Sequence, residues 1–217
     1  MAANITDIKS KIKELSKGPA DRTAIEIKLK KVSTENIPQK TLDRDYIIAH
    51  KQEILDRVQK RAEEYEQVNQ SCAKSSALSI MEEFGMGDIS NIRALSPFPG
   101  IALTGETCGG VCGALVALGL YFGSDDLLDH GATARCLNQA RKLINRFTET
   151  VGTTKCYNIH KDLVFGQYYD TMDPGKGFAN FMRDKGFEKC ALLPGIGARL
   201  GAEIIIEDME KKKAKGG

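Results

Sequence analysis

The sequence predicts an all-α fold, a multi-helix bundle with cysteines converging from several helices and loops. Three observations carry this. Apolar residues recur at three-, four- and seven-residue spacing over long segments, the signature of one buried helix face. Alternating apolar and polar runs of the kind that build strands are nearly missing. The stretches in between, "SPFPG" (Ser96–Gly100) and "GQYYDTMDPGKG" (Gly166–Gly177), carry the proline and glycine that interrupt helices. No internal repeat is found.

Residues 1–40 are polar and lysine-rich, with a short helix from Ile5 to Leu15 ended by "KGPAD" and the arm closed by Pro38. Composition leaves two readings open for the arm, a docking extension and a poorly ordered tail. From Asp43, Ile47, Ile54, Val58, Ala62, Tyr65 and Val68 share one face, opposite Lys51, Glu53, Asp56, Lys60, Glu63 and Glu64. This is an amphipathic helix of about six turns, at ~3.6 residues per turn. Its apolar face either packs on its own domain or forms a dimer seam. A second helix is expected from Cys72 to Phe84, stopped by "FGMGD". Another is expected to start near Glu106, whose carboxylate suits the positive end of a helix dipole. A long helix follows over about 125–151, with Leu127, Leu128, Ala132, Leu137, Leu143, Ile144 and Phe147 as its apolar side. "GTTKC" introduces Cys156 and a short helix, and a last helix from Leu193 to Lys213 ends in a lysine run.

Whole-chain properties narrow the function classes. At 217 residues the chain can bury a real core. A net charge of +2 gives no argument for a nucleic-acid partner. Hydrophobic content of 41% and charged content of 28% are those of a soluble protein. No apolar run reaches the ~18 residues of a membrane span, so no membrane association is expected. The opening "MAANITDIKSKIKELSKG" lacks a basic-then-apolar signal pattern. A cytoplasmic location is therefore expected, where cysteines more often bind metal or do redox work than form structural disulfides.

Six cysteines need an account: Cys72, Cys108, Cys112, Cys136, Cys156 and Cys190. Cys108 and Cys112 stand four apart, hence on one helix face. Cys108 is expected in the first turn, where unpaired N–H groups and the dipole favour a thiolate. Gly105, Gly109 and Gly110 have no side chain to block an approaching group, and they let backbone N–H groups point at sulfur. The plainer reading is close helix packing, which Gly113 and Gly119 serve in either case. Paired cysteines two residues apart, which structural zinc sites usually bring and haem c and thioredoxin-like sites need, are missing. Only tertiary folding can therefore assemble a site. His160, four residues after Cys156, shares its helical face. By spacing alone, a metal cluster is one option among several.

The segments "QSCAKSSALSIMEEFG", "GETCGGVCGALVALGLYFG", "FTETVGTTKCYNI" and "FEKCALLPGIGARLGAEII" resemble a redox-active family marked by four cysteines and a C-G-A-x-x-G motif, the C_GCAxxG_C_C family. The resemblance covers about residues 68–208. It implies that Cys72, Cys108, Cys156 and Cys190 are the family's four cysteines and metal ligands. One relative, the split-Soret cytochrome c, has a domain of this kind with an iron–sulfur cluster beside its haems. The resemblance thus implies an iron–sulfur cluster here, [2Fe–2S] before [4Fe–4S], and no haem, since no attachment motif is present. An oxidised [2Fe–2S] centre offsets two of four thiolate charges, with N–H donors and the nearby Lys74, Lys155 and Lys189 offsetting more.

Gly110 replaces the family's alanine, and Cys112 occupies a position that the motif leaves free. Cys136 falls outside the pattern. Gly105, Gly109 and Gly110 are then expected to approach the cofactor, with Cys112 and His160 beside the ligands without holding metal. The expected division is 1–66 as N-terminal arm and amphipathic helix, 67–210 as four-cysteine redox domain and 211–217 as solvated tail. The expected function is electron transfer to a redox partner protein, from a homodimer. Two readings compete: a cluster-free thiol–disulfide oxidoreductase using Cys108 with Cys112 or another of the family's cysteines, and a zinc-stabilised helical structural module.

Overall fold

The computed structural model describes residues 5–215; the first four residues of the arm and the last two of the tail lie outside them. Among the described residues the fold is all-α, with one isolated bridge, Thr107 to Lys155, and no strand. The arm is docked rather than loose. Helix α1 (Ile5–Leu15) buries Ile8 and Ile12 against Val111, Phe147 and Leu192. Helix α2 (Arg22–Glu35), which the sequence reading lacks, is started by Asp21, whose carboxylate accepts from the Ala24 N–H. It buries only Ile25 and Val32, so its apolar signal is faint among the lysines.

The helix expected from residue 43 is split at His50. Helices α3 (Arg44–Ala49) and α4 (Lys51–Asn69) meet there, with the His50 ring stacked on Tyr46. Helix α4 spends its apolar face inside the molecule. Ile54, Leu55, Val58 and Ala62 pack with Ile80, Ala117, Ile205 and Met209, so that face is not free to be a dimer seam.

Helix α5 (Cys72–Phe84) stands where expected and ends on Gly85 in the left-handed conformation. Its small residues let it lie close to its neighbours. Ser76 Oγ donates to the Gly110 carbonyl at 2.9 Å, and Ser79 Oγ to the Val58 carbonyl at 2.7 Å. After the short α6 (Ile89–Ala94) comes α7 (Gly100–Leu103), a single left-handed turn with φ of 51° at Gly100, 46° at Ile101, 54° at Ala102 and 61° at Leu103.

Helix α8 (Gly109–Phe122) starts later than expected, because Cys108 is its N-cap. Glu106 therefore sits outside the helix, where its carboxylate pairs with Lys155 at 3.6 Å. Helix α9 (His130–Val151) also starts late, where Asp129 accepts from the Ala132 N–H. Leu127 and Leu128, expected on its apolar side, precede it and are 92% and 77% exposed, and Leu137 and Ile144 are exposed too. The helix buries only Ala132, Leu143, Phe147 and Val151.

Helix α10 (Cys156–Asn158) runs on into a π-helical segment, Ile159–Val164. The short α11 (Gly177–Arg183) and α12 (Gly186–Cys190) follow the expected loop and were not foreseen. Helix α13 (Leu192–Ala214) runs through the centre, packed on α4, α5 and α8. The lysine run stands in its last turn with its side chains exposed; Lys212 pairs with Asp208 at 2.8 Å and Lys213 with Asp45 at 2.7 Å. No helix among the described residues is long and apolar enough to cross a membrane.

Candidate functional site

Cys72, Cys108, Cys156 and Cys190 sit at four helix ends: the start of α5, the N-cap of α8, the start of α10 and the end of α12. All four line one cavity of about 620 Å³. Local pairing explains how it forms. The Cys108 N–H donates to the Thr154 carbonyl at 2.8 Å and the Cys156 N–H to the Glu106 carbonyl at 2.7 Å, which sets these two cysteines side by side. Cys72 is brought in by the packing of α5 on α8. A Cβ at Gly109 would stand 2.3 Å from Cys72 Sγ, so only glycine fits there. A Cβ at Gly113 would meet the Ala73 carbonyl oxygen at 2.0 Å, which fixes the same close packing one turn on.

His160 joins the other pair. Its Nε2 lies 3.7 Å from Cys156 Sγ and 3.6 Å from Cys190 Sγ. The ring is 7% exposed, held among Phe165, Tyr168 and Phe181, and its Nδ1 has no hydrogen-bond partner among the described residues. Burial depresses the imidazole to about 4, so the ring is neutral.

Burial dominates the thiols. It pushes Cys156 up to about 11 and Cys72, Cys108 and Cys190 still higher, with neighbouring thiolates adding to the rise. Left alone, such groups keep their protons at neutral pH. Two influences oppose this. The N–H groups of Gly110 and Val111 face the Cys108 sulfur, although neither closes a cap hydrogen bond, and Lys189 favours the Cys190 thiolate. Lys155 is committed to Glu106, while Lys74 lines the cavity.

The expected glycines divide by role. Gly109 meets a cavity thiol. Gly110 lies against Leu193 and Pro194 of α13, and Gly105, at φ 83°, forms the turn whose carbonyl accepts from the Tyr157 N–H. Cys112 is buried but does not line the cavity; its thiol points at the Thr107 carbonyl, 3.9 Å away. Cys136 is partly buried on α9, away from the cavity. All six cysteines are free.

The donor set fits a sulfur-ligated group of several atoms. Four sulfurs line one cavity, glycine clears the approach to one of them, and the buried His160 ring puts Nε2 beside two more. Among the described residues no set of three or more His, Cys, Asp or Glu forms a site for a single metal ion.

Two features of the cavity escape the sequence reading. One is the left-handed turn α7, whose Gly100 borders Cys156 Sγ and whose Leu103 carbonyl accepts from Tyr168 Oη at 2.8 Å. The other is Glu66, which also lines the cavity. A signal for it exists: Val58, Ala62 and Glu66 follow at four-residue steps, which puts a carboxyl on the apolar face of α4.

A family model described as "Putative redox-active protein (C_GCAxxG_C_C)" matches residues 70–203, a span that holds all four cavity cysteines. No curated protein and no solved structure matches the chain.

Proposed function

Because the chain belongs to this four-cysteine redox-active family, we propose that it holds an iron–sulfur cluster and passes single electrons to a partner protein. Cys72, Cys108, Cys156 and Cys190 would be the ligands. The observation that carries the reading is that four free thiols from four separate helix ends line one cavity. A bound [2Fe–2S] or [4Fe–4S] cluster supplies one-electron chemistry, and [2Fe–2S] is our first assignment. The chain's own residues set the conditions. Gly110 and Val111 present N–H groups to Cys108, and His160 Nε2, which lies against Cys156 and Cys190, would donate to both as the Nε2–H tautomer, each favouring thiolate sulfur. Phe181, Phe187 and Tyr168 line the cavity with the sulfurs and make its wall largely apolar. Around the mouth, Leu103, Met172 and Phe178 expose apolar surface, which suits docking of a redox partner. Six free thiols suit a reducing, cytoplasmic setting. The proposed homodimer must use a surface other than the buried face of α4.

The competing readings have less support. A thiol–disulfide enzyme wants a thiol with a depressed pKa, whereas all six here are displaced upward by burial. The thiols flank a cavity rather than a point, which favours a multi-atom group over one zinc ion. The test is anaerobic purification with an absorption spectrum and iron and sulfide assays. Alanine at any of the four cavity cysteines should abolish or severely reduce iron and visible absorbance, while Cys136→Ala keeps both. An iron-free wild type with a reducible disulfide between Cys108 and Cys112 would overturn the proposal.

A further inference from the structure

The cavity is much larger than the centre proposed for it. At the ~30 Å³ that a water-sized atom occupies, two irons and two sulfides take roughly 120 Å³ of its volume of about 620 Å³. A [4Fe–4S] core, with twice the atoms, still leaves more than half of it free. The remainder falls in the range of small-molecule sites, roughly 300–1,000 Å³, which are apolar with a few placed polar groups.

The space runs from solvent to the sulfurs. Leu103, Met172 and Phe178 line it with exposed side chains, whereas Cys108, Ile159 and Leu193 line it fully buried. Much of the wall is aromatic. Phe181 meets His160, Tyr169 and Phe187 ring to ring at 5.8, 6.1 and 5.0 Å, and Tyr168 meets His160 at 5.5 Å. Tyr168 Oη, donating to the Leu103 carbonyl at 2.8 Å, ties these rings to α7, whose Ala102 also lines the cavity. Such rings attract a further ring, edge to face or offset face to face. The wall is built from the chain alone and stands whatever the thiols hold.

The polar lining is sparse and partly committed. Glu66 accepts from Ser75 Oγ, Asn69 accepts from the Ser71 N–H, and Ser96 Oγ donates to the Arg93 carbonyl. Gln70, the C-cap of α4, and Lys74, in the first turn of α5, keep free N–H donors among the described residues. An anionic ligand would gain Lys74 but stand against thiolate sulfurs and the Glu66 carboxyl. A neutral acceptor oxygen suits both donors without that repulsion.

We propose that the space beside the thiols binds a small, uncharged, planar aromatic molecule with carbonyl oxygen at its edge, of the two-ring quinone type. Its ring would lie against Phe181 and Tyr168, and its oxygen would accept from Lys74 or Gln70. The inference goes beyond the function proposed above, because binding needs the aromatic wall and the free donors rather than iron.

The probe is 2,3-dimethyl-1,4-naphthoquinone, whose ring carbons are blocked against addition of thiols. Full-length protein purified without oxygen is titrated with it by equilibrium dialysis, and iron is assayed on the same sample. One-to-one, saturable binding is expected. The saturated two-ring ketone 1-decalone, of similar size, should bind at least tenfold more weakly. Thr171→Trp, which fills the cavity from its loop, should weaken quinone binding at least tenfold, and Lys74→Met several-fold. Phe178→Ala, at an exposed position that folding does not depend on, should also weaken it several-fold. Absence of saturable binding, equal affinity for the decalone, or unchanged affinity in all three variants overturns the proposal. Iron-free protein that binds the quinone sinks the cluster assignment and leaves this site standing; iron-loaded protein that does not bind it does the reverse.

Discussion

Gly109 and Gly119 stand on the same helix, yet a methyl group would meet very different surroundings at the two positions. At Gly109 it would collide with Cys72 Sγ at 2.3 Å and the Ala73 nitrogen at 2.9 Å; at Gly119 nothing lies within 4 Å. Helix propensity alone favours alanine at both by about 0.5–1 kcal/mol. Gly119→Ala should therefore gain that amount in denaturant unfolding and keep its iron. Gly109→Ala should lose stability and several-fold in iron per chain, since Cys72 must move. Equal iron in the two variants would remove Gly109 from the site. Glu66 gives a second prediction at this scale. Its carboxyl sits at about 8 in the fold against ~4.3 in an unfolded chain. The folded state therefore binds the extra proton between these values. The stabilising contribution is complete below about pH 4, falls by up to ~1.4 kcal/mol per pH unit on the way to 8, and levels off above. Unfolding free energies of wild type and Glu66→Gln should diverge in favour of the glutamine variant as pH rises from 5 to 8. Parallel curves would refute the burial argument.

Element boundaries were legible where capping chemistry is local. Helix α5 ends on Gly85, a left-handed C-cap, and its predicted and observed limits agree. Helix α8 is buried along most of its length, so periodicity marks no start, and cysteine is not a usual cap; Glu106, outside the helix, therefore looks from the sequence like part of its first turn. On α9, periodicity put every leucine on one side, but that side covers only a narrow seam, and an exposed leucine costs a soluble protein little. The left-handed turn α7 left no sequence signal, since Ile101, Ala102 and Leu103 do not ordinarily adopt positive φ. Its position beside Cys156 explains why strain is tolerated there: neighbouring contacts from Tyr168 and Pro99 hold it. Each such residue costs about 1–2 kcal/mol in this conformation. Ala102→Gly should therefore raise the melting temperature by about 2–4 °C for each kcal/mol relieved. An unchanged or lower melting temperature would show that the turn is not strained at this residue.

At the scale of the whole molecule, the sequence revealed which cysteines belong together but not how they meet. Their order and the glycine core around Cys108 were readable. Their convergence depends on the pairing of 105–108 with 154–157 and on the depth to which α5 sinks against α8, and both are tertiary. The same holds for the N-terminal third. Read as an arm plus a separate amphipathic helix, it supplies Ile8 and Ile12 to the core that contains Cys108, and Ile25, Val32 and Ile37 to the core that contains Ala73.

Helix α4 is the larger case, because it completes the main core and carries Glu66 into the cavity. A fragment of residues 67–217 loses Ile54, Leu55, Val58, Ala62 and Tyr65, all nearly inaccessible to solvent. Burying each large apolar side chain stabilises by about 1.5–3 kcal/mol, so the loss reaches the whole ~5–15 kcal/mol by which a domain is stable. The fragment should show no cooperative unfolding in denaturant and no iron, although it spans the full family match. A fragment of residues 41–217 keeps α4 and gives up only the two arm helices, so it should unfold cooperatively at a lower denaturant midpoint. A cooperative transition in the shorter fragment at the full-length midpoint would mean that the four-cysteine region folds alone, and that α4 is an addition to it rather than a wall of the cavity.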